Sequence, residues 1–245
     1  MRKWLPVLCT VAVLAACWQV FGSDRYGAVI PPLSSVISAI SAAPDVLARA
    51  AGVTLLETVL GFAIGALVGF LMGVLFSEVR VVERMLSPIF VISQSIPIVA
   101  FGAMIIIWFG NGMLSKVMIS FYMTFFPVTV YTHRGLMSVS PERLNLLRSF
   151  GASRFAIFWK LRLPFALPAI MTSLMLASSL SLVGAIVGEW FGATHGLGIM
   201  LVQAMYAENL AGIWSVIVAC GVIGVGLYGA LAIIQKRWVW WEGES

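Results

Sequence analysis

Few side chains in this sequence of 245 residues are of a kind that does chemistry, and their placement excludes most reactions. The two histidines, His133 and His195, are far apart in sequence and neither has a metal-ligating neighbour at ligand spacing. Cys9, Cys17 and Cys220 lie inside apolar runs and match no metal or redox pattern, so they read as small apolar side chains. A membrane enzyme would need a catalytic cluster, and none can be assembled from this set. The lysines are Lys3, Lys116, Lys160 and Lys236, and none closes a Gly-x-x-x-x-Gly-Lys-Ser/Thr phosphate loop. Any ATP chemistry must therefore come from another chain. Glu57 and Glu189 are carboxylates set in apolar surroundings, both expected near the outer face, with Glu189 read as a solvated helix end.

Composition explains this poverty. The chain is 61% hydrophobic and 10% charged, with a mean hydropathy of +1.02, whereas a soluble domain carries about 25% charged residues. It reads as an all-α integral membrane protein. The net charge of +5 is no nucleic-acid signal, because the cations sit at the ends of apolar runs, where they set topology and meet lipid headgroups.

A spanning helix needs about 20 mostly apolar residues. Runs of that order occupy Leu5–Ser23, Thr58–Ser77, Met85–Ser115, Leu163–Gly188 and Asn209–Gln235, and a shorter run, Val117–Thr132, is extended by Lys116 snorkelling outward and by His133. Six transmembrane helices are expected. With both termini cytoplasmic, twelve of the fifteen Lys and Arg fall inside, and only Arg25, Arg49 and Lys116 fall outside. Arg2-Lys3, the first apolar run and Leu14-Ala15-Ala16-Cys17 resemble a lipoprotein signal, but five further spans make an anchor helix the better reading. The organisation expected is an N-terminal helix with an outer amphipathic segment over 1–52, then a core over 53–245. In the outer segment Leu33, Val36, Ile37 and Ile40 form an apolar stripe at helical spacing.

Within the spans, Gly61, Gly65, Gly69 and Gly73 form one helical row that lets a neighbouring backbone approach closely. The third span is expected to be broken by Pro88 and Pro97; around the second lies Ser93-Gln94-Ser95-Ile96-Pro97, where Pro97 frees the carbonyl of Ser93. Gln94 and the serines either satisfy that carbonyl or line an aqueous path. The pathway or gate candidates are Gln94, Ser95, Pro97, Ser178 and Glu189. After Glu189, Gly196-Leu197-Gly198 and a short apolar helix form an outer loop expected to pack back into the protein or the interface.

The longest charged interval is Ser140–Pro168, with five of the fifteen cations and one acid, Glu142. Ser140 suits an N-cap, Pro141 the first helical position and Gly151 a C-terminal stop. Ser153 then caps a second helix, Arg154 to Arg162. Leu146, Leu147, Phe150, Phe155, Phe158 and Trp159 are more apolar surface than a solvated loop needs. The alternatives are two helices lying on the inner leaflet or a docking surface for a cytoplasmic partner.

This stretch resembles the Glu-Ala-Ala loop of ABC importer membrane subunits, the binding-protein-dependent permeases. That pattern runs Glu-Ala-Ala, three residues, Gly, nine residues, then Ile, any residue, Leu-Pro. Gly151 matches, and nine residues later come Leu161, Arg162, Leu163 and Pro164. The turn at Gly110–Gly112, Phe126-Pro127, Gly135-Leu136, Gln94 with Ile96-Pro97, and Glu189 with Gly196-Leu197-Gly198 resemble the branch importing nitrate, sulfonates, taurine or pyrimidine-type compounds. Asn145, Leu146 and Leu147 stand at the Glu-Ala-Ala positions, and Glu57 stands where this branch often has Arg.

The resemblance implies a type I ABC importer fold, five core helices plus the N-terminal one, in the bacterial inner membrane. It implies a coupling loop over 138–164, with Asn145, Leu147, Arg148, Gly151, Ala152, Ser153, Leu163 and Pro164 at the ATPase contact. The expected partners are a second permease copy, two cytoplasmic ATPase subunits that bind the ATP and Mg, an extracytoplasmic binding protein and membrane lipid. The rival is a self-sufficient secondary transporter or channel, which would need coupling groups such as Glu57 and Glu189 inside the membrane, and often inverted repeats.

Overall fold

The computed structural model describes residues 5–22 and 30–239. Arg2, Lys3 and Arg25, used in the charge count, lie outside the described residues. Eleven α-helices run in order: α1 Leu5–Phe21, α2 Leu33–Ala42, α3 Pro44–Glu78, α4 Arg80–Gln94, α5 Ile98–Phe109, α6 Met113–Met137, α7 Pro141–Ser149, α8 Arg154–Ile157, α9 Leu163–Trp190, α10 Leu197–Tyr206 and α11 Leu210–Trp238.

The small residues decide how the bundle packs. α6 lies at its centre, packed most extensively on α3 and α9. The row Gly61, Gly65, Gly69 and Gly73 faces Ser120, Thr124, Val128 and Thr132 of α6 in register. A methyl group on Gly65 would stand 2.8 Å from the carbonyl oxygen of Phe121, and one on Gly69 would stand 2.7 Å from that of Phe125. The α3 backbone is therefore in van der Waals contact with α6, the close approach that helices in lipid use in place of a hydrophobic driving force. On the other side of α6, Gly184 and Gly188 of α9 lie against Ser120 and Lys116.

Among the described residues, α3, α6, α11 and the continuous stretch Arg154–Trp190 are each long and apolar enough to cross a membrane. The expected third span is not one helix. α4 and α5 meet at 104°, so that run is either a broken span or a re-entrant pair. Pro88, expected as a second break, lies inside α4 without ending it, whereas Pro97 stands between α4 and α5, where a residue without an amide donor interrupts the ladder. The expected second span is instead longer than its apolar run. α3 holds 35 residues from Pro44, which suits a first helical position, so the outer segment after α2 feeds into the span without a break.

The stripe predicted over Leu33–Ile40 is α2, with Val36 buried. α1 leans on this region: the Trp18 indole donates to the Pro31 carbonyl at 3.0 Å, and its ring lies 4.9 Å from that of Trp214 on α11. Leu197 of α10 packs with Ala50 of α3 and Val216 of α11. α10 is thereby folded back into the bundle, as its apolar composition required.

Candidate functional site

Three places hold the residues singled out by sequence, and the bundle keeps them apart. The first is the cationic hairpin. α7 closes in a two-bond cap, with the Gly151 amide donating to Arg148 at 2.9 Å and the Ala152 amide to Leu147 at 3.1 Å. Gly151 has φ +74°, a conformation an L side chain resists. Ser153 caps the next helix by accepting from the Ala156 amide at 3.2 Å. Ser140 occupies the N-cap position of α7, but its side chain makes no cap bond to the helix amides. The Glu142 carboxylate bonds its own backbone amide and Ser140 instead, which holds its pKa below the ordinary carboxylate value.

The expected second helix does not stand alone. α8 has four residues, and Phe158–Arg162 then forms a π-helical turn that runs straight into α9. The Leu163 amide reaches back five residues to the Phe158 carbonyl. Pro164 follows with no amide to give, so the register is shifted where the ladder would break in any case. The hairpin is thus continuous in helix with the fifth expected span. Arg162 ties it to α3 and α6 through an ion pair with Glu78 and a bond to the Leu136 carbonyl at 3.1 Å. Arg143 covers the Phe165 ring at 5.1 Å.

Leu144 and Leu147 are half-buried, and Ile157 is buried. Leu146, Phe150, Phe155 and Trp159 remain 58%, 78%, 73% and 52% exposed. Those four are the large apolar side chains that the hairpin leaves exposed, with the Phe155 and Trp159 rings 6.0 Å apart. Asn145, Arg148 and Ser153 are exposed around them, while Ala152, Leu163 and Pro164 are half-buried.

The second place is mid-bundle. Gln94, Ser95 and Pro97, at the α4–α5 break, line an open cavity of about 520 Å³ with Tyr122, Phe126 and Leu176. The Ser93 carbonyl, which loses its helical donor at Pro97, accepts from the Tyr122 hydroxyl at 2.6 Å and from the Ile96 amide at 3.2 Å. Neither Gln94 nor a serine satisfies it: Ser93 and Ser95 hydroxyls donate to Phe90 and Val91 carbonyls within their own helix. Gln94 is left exposed at the cavity. Ser178 is buried elsewhere, donating to Met175 on its own helix at 2.7 Å.

The third place is at the far end from the hairpin. Glu189 is fully buried, not a solvated helix end. It accepts from the Thr54 hydroxyl at 2.6 Å and from the Gly198 amide. Thr54 in turn accepts from the Leu197 amide at 2.8 Å. One carboxylate and one hydroxyl thus satisfy two of the orphan amides that begin α10. A Cβ on Gly196, at φ +129°, would fall onto the Glu189 carboxyl, so only glycine fits.

Lys116 does not snorkel outward. It is 2% exposed and donates to Asn111, whose amide donates to the Gly192 carbonyl. Glu57, 3% exposed, lies in the field of both Lys116 and Glu189 and has one carboxyl oxygen without a partner. The two acids expected near the outer face, and the lysine expected to snorkel there, are instead buried side chains in one another's field.

Sequence reasoning missed Thr54, Tyr122 and the Lys116–Asn111 link. Thr54, Glu57, Thr58 and Gly61 at spacings of three and four were a readable sign that one polar face of α3 is buried.

Apolar helices packed through glycine, a broken pair in mid-bundle and a cationic hairpin at one end define a multi-pass membrane protein of the transport type. The chain belongs to the family described as binding-protein-dependent transport system inner membrane component, whose profile matches residues 65–239. That family is a transmembrane permease component of ABC transporters rather than itself an enzyme. A probable ABC transporter permease protein of Haemophilus influenzae is 34% identical over 97% of this chain and 98% of its own length. The formylaminopyrimidine transport permease protein ThiX of Halalkalibacterium halodurans is 32% identical, covering 76% of this chain and 74% of its own. The taurine transport system permease protein TauC of Escherichia coli is 30% identical over 78% and 70%. In fold the chain is similar to a subunit from inward-facing structures of the MetNI methionine ABC transporter, with a TM-score of 0.70, 22% identity, and 79% and 96% of the two chains covered.

Proposed function

We propose that this chain is the permease subunit of an ATP-driven importer, forming half of a pathway for a small solute delivered by an extracytoplasmic binding protein. Two copies pair around the pathway. Each presents its hairpin, over 138–164, to one of two cytoplasmic ATPase subunits that bind the ATP and Mg. The full crossing number is six, with α1 as the peripheral anchor, α4 with α5 as one broken span, and both termini cytoplasmic. Closure of the ATPase pair moves the hairpins together and swings the bundle from inward to outward access as a rigid body. The continuous run from α8 through the π turn into α9 gives the hairpin a stiff lever for that motion.

The observation that carries this reading is the exposed apolar surface of Leu146, Phe150, Phe155 and Trp159 on a hairpin rich in arginine. Large apolar side chains at the centre of a patch rimmed by charge are how a protein interface is built. Gln94, Ser95 and Pro97 are our candidates for the pathway wall, because they line the open cavity at the broken helix. Glu189, by contrast, is proposed to act on the outer gate through α10. The relatives' names range from formylaminopyrimidine to taurine, which supports a small polar solute and leaves its identity to the binding protein.

The test is mild-detergent affinity purification from native membranes, which is expected to recover an ATPase subunit with the chain. Solute uptake into vesicles holding the chain alone, driven by an ion gradient, would instead support a self-sufficient carrier using Glu57 and Glu189.

A further inference from the structure

Between the hairpin and the ends of α3, α4 and α6 lies a cavity of about 1100 Å³ lined by Arg80, Arg148, Arg154 and Arg162, with Glu78 as the carboxylate in its wall. Arg162 is neutralised by Glu78 and fixed to the Leu136 carbonyl. Arg80, Arg148 and Arg154 have no carboxylate partner among the described residues. Glu142, at the start of α7, is turned onto its own amide and Ser140. Three guanidinium groups thus face one recess from three helices, α4, α7 and α8, with no counter-charge.

We propose that this cavity is a phosphate-binding site, occupied by the headgroup of an acidic phospholipid of the inner leaflet. The guanidinium fork matches the geometry of phosphate oxygens and bonds them in pairs, which a lone ammonium does not. The wall also includes Ser77, Val79 and Leu136, where apolar spans give way to charged sequence, as at the boundary of a bilayer. Basic recesses between spans on the cytoplasmic side are sites for acidic headgroups. The exposed apolar tip of the hairpin, with Leu146 and Phe150, does not line this recess, and Arg148 and Ala152 stand where the recess meets the surface proposed for the ATPase, so a lipid would sit beside the docked partner. Because the arginines come from α4 and from both arms of the hairpin, a bound phosphate would hold the hairpin at one angle to the bundle. Lipid composition would then regulate coupling.

The choice of leaflet rests on the orientation proposed above; the test does not, because it reads binding. The full chain is placed in nanodiscs of phosphatidylcholine alone or of phosphatidylcholine with phosphatidylglycerol, released into mild detergent, and weighed intact by native mass spectrometry. Wild type is expected to retain phosphatidylglycerol in preference to phosphatidylcholine, and excess inorganic phosphate is expected not to displace it. The double variant Arg80→Gln, Arg154→Gln is expected to retain it about 30-fold less well, from about a fivefold loss per arginine. Arg80→Lys with Arg154→Lys, which keeps the charge, checks folding and should recover part of the retention. Equal retention by wild type and the glutamine variant would overturn the site. Displacement by inorganic phosphate would overturn the lipid as its occupant, as would displacement by a co-purifying ATPase.

Discussion

Gly196 shows how narrowly one residue sets the far end of the bundle. Its φ of +129° and the carboxyl of Glu189 occupying the space of a side chain leave no room for a Cβ. Gly196→Ala is expected to lower stability by at least about 1–3 kcal/mol from backbone strain alone, seen as a lower thermal midpoint in detergent. Tyr122→Phe removes only a hydroxyl, yet takes from the Ser93 carbonyl one of its two donors and leaves it the Ile96 amide alone. In membranes such a bond is worth about 0.6–1.7 kcal/mol, and equilibrium unfolding of that variant should show a loss in this range. Lys116→Met removes the cation in whose field the buried Glu57 and Glu189 lie and leaves Asn111 without its donor, so the thermal midpoint in detergent is expected to fall. Adding Glu57→Gln to Lys116→Met should restore part of that loss; an additive double variant would contradict the coupling of these side chains.

At the scale of helices, the glycine row makes a contrast that can be measured. Gly65→Ala and Gly69→Ala push a methyl into the α6 backbone and are expected to reduce the folded fraction. Gly226→Ala on α11, where an added methyl meets nothing, is expected to leave it unchanged. The row itself was legible, because spacing by four in an apolar run has one packing meaning. The turn at Gly151 was legible for the same reason, since a capped basic stretch with one glycine at its centre allows little else. The 104° break between α4 and α5 was legible only as a proline kink. A proline marks where amides are lost, but the angle depends on neighbours such as Tyr122 that sequence distance hides. The buried charges were misplaced for a related reason. Lys116, Glu57 and Glu189 come from three helices, and a hydropathy run cannot tell a charge at a surface from one paired inside.

For the whole molecule, the account joins two ends of one lever. At one end, Glu189 and Thr54 hold α10 and the turn before it against α3. At the other, α8 and the π turn weld the hairpin to α9, the helix that carries Glu189. The hairpin and the outer turn are thus joined by one continuous helical stretch, Arg154–Trp190, with a π turn, Pro164 and Pro168 at its hairpin end. The central claim is that the exposed hairpin surface docks an ATPase. It is tested most directly by co-purifying the ATPase with wild type and with Leu146→Asp, Phe150→Asp, two exposed positions whose change leaves the packed bundle alone. Wild type should bring the ATPase down in a fixed ratio, and the double variant should insert normally but lose at least about 10-fold in recovered ATPase, as expected for charge placed at the core of an interface. Equal recovery by both, with membrane levels unchanged, would contradict the account.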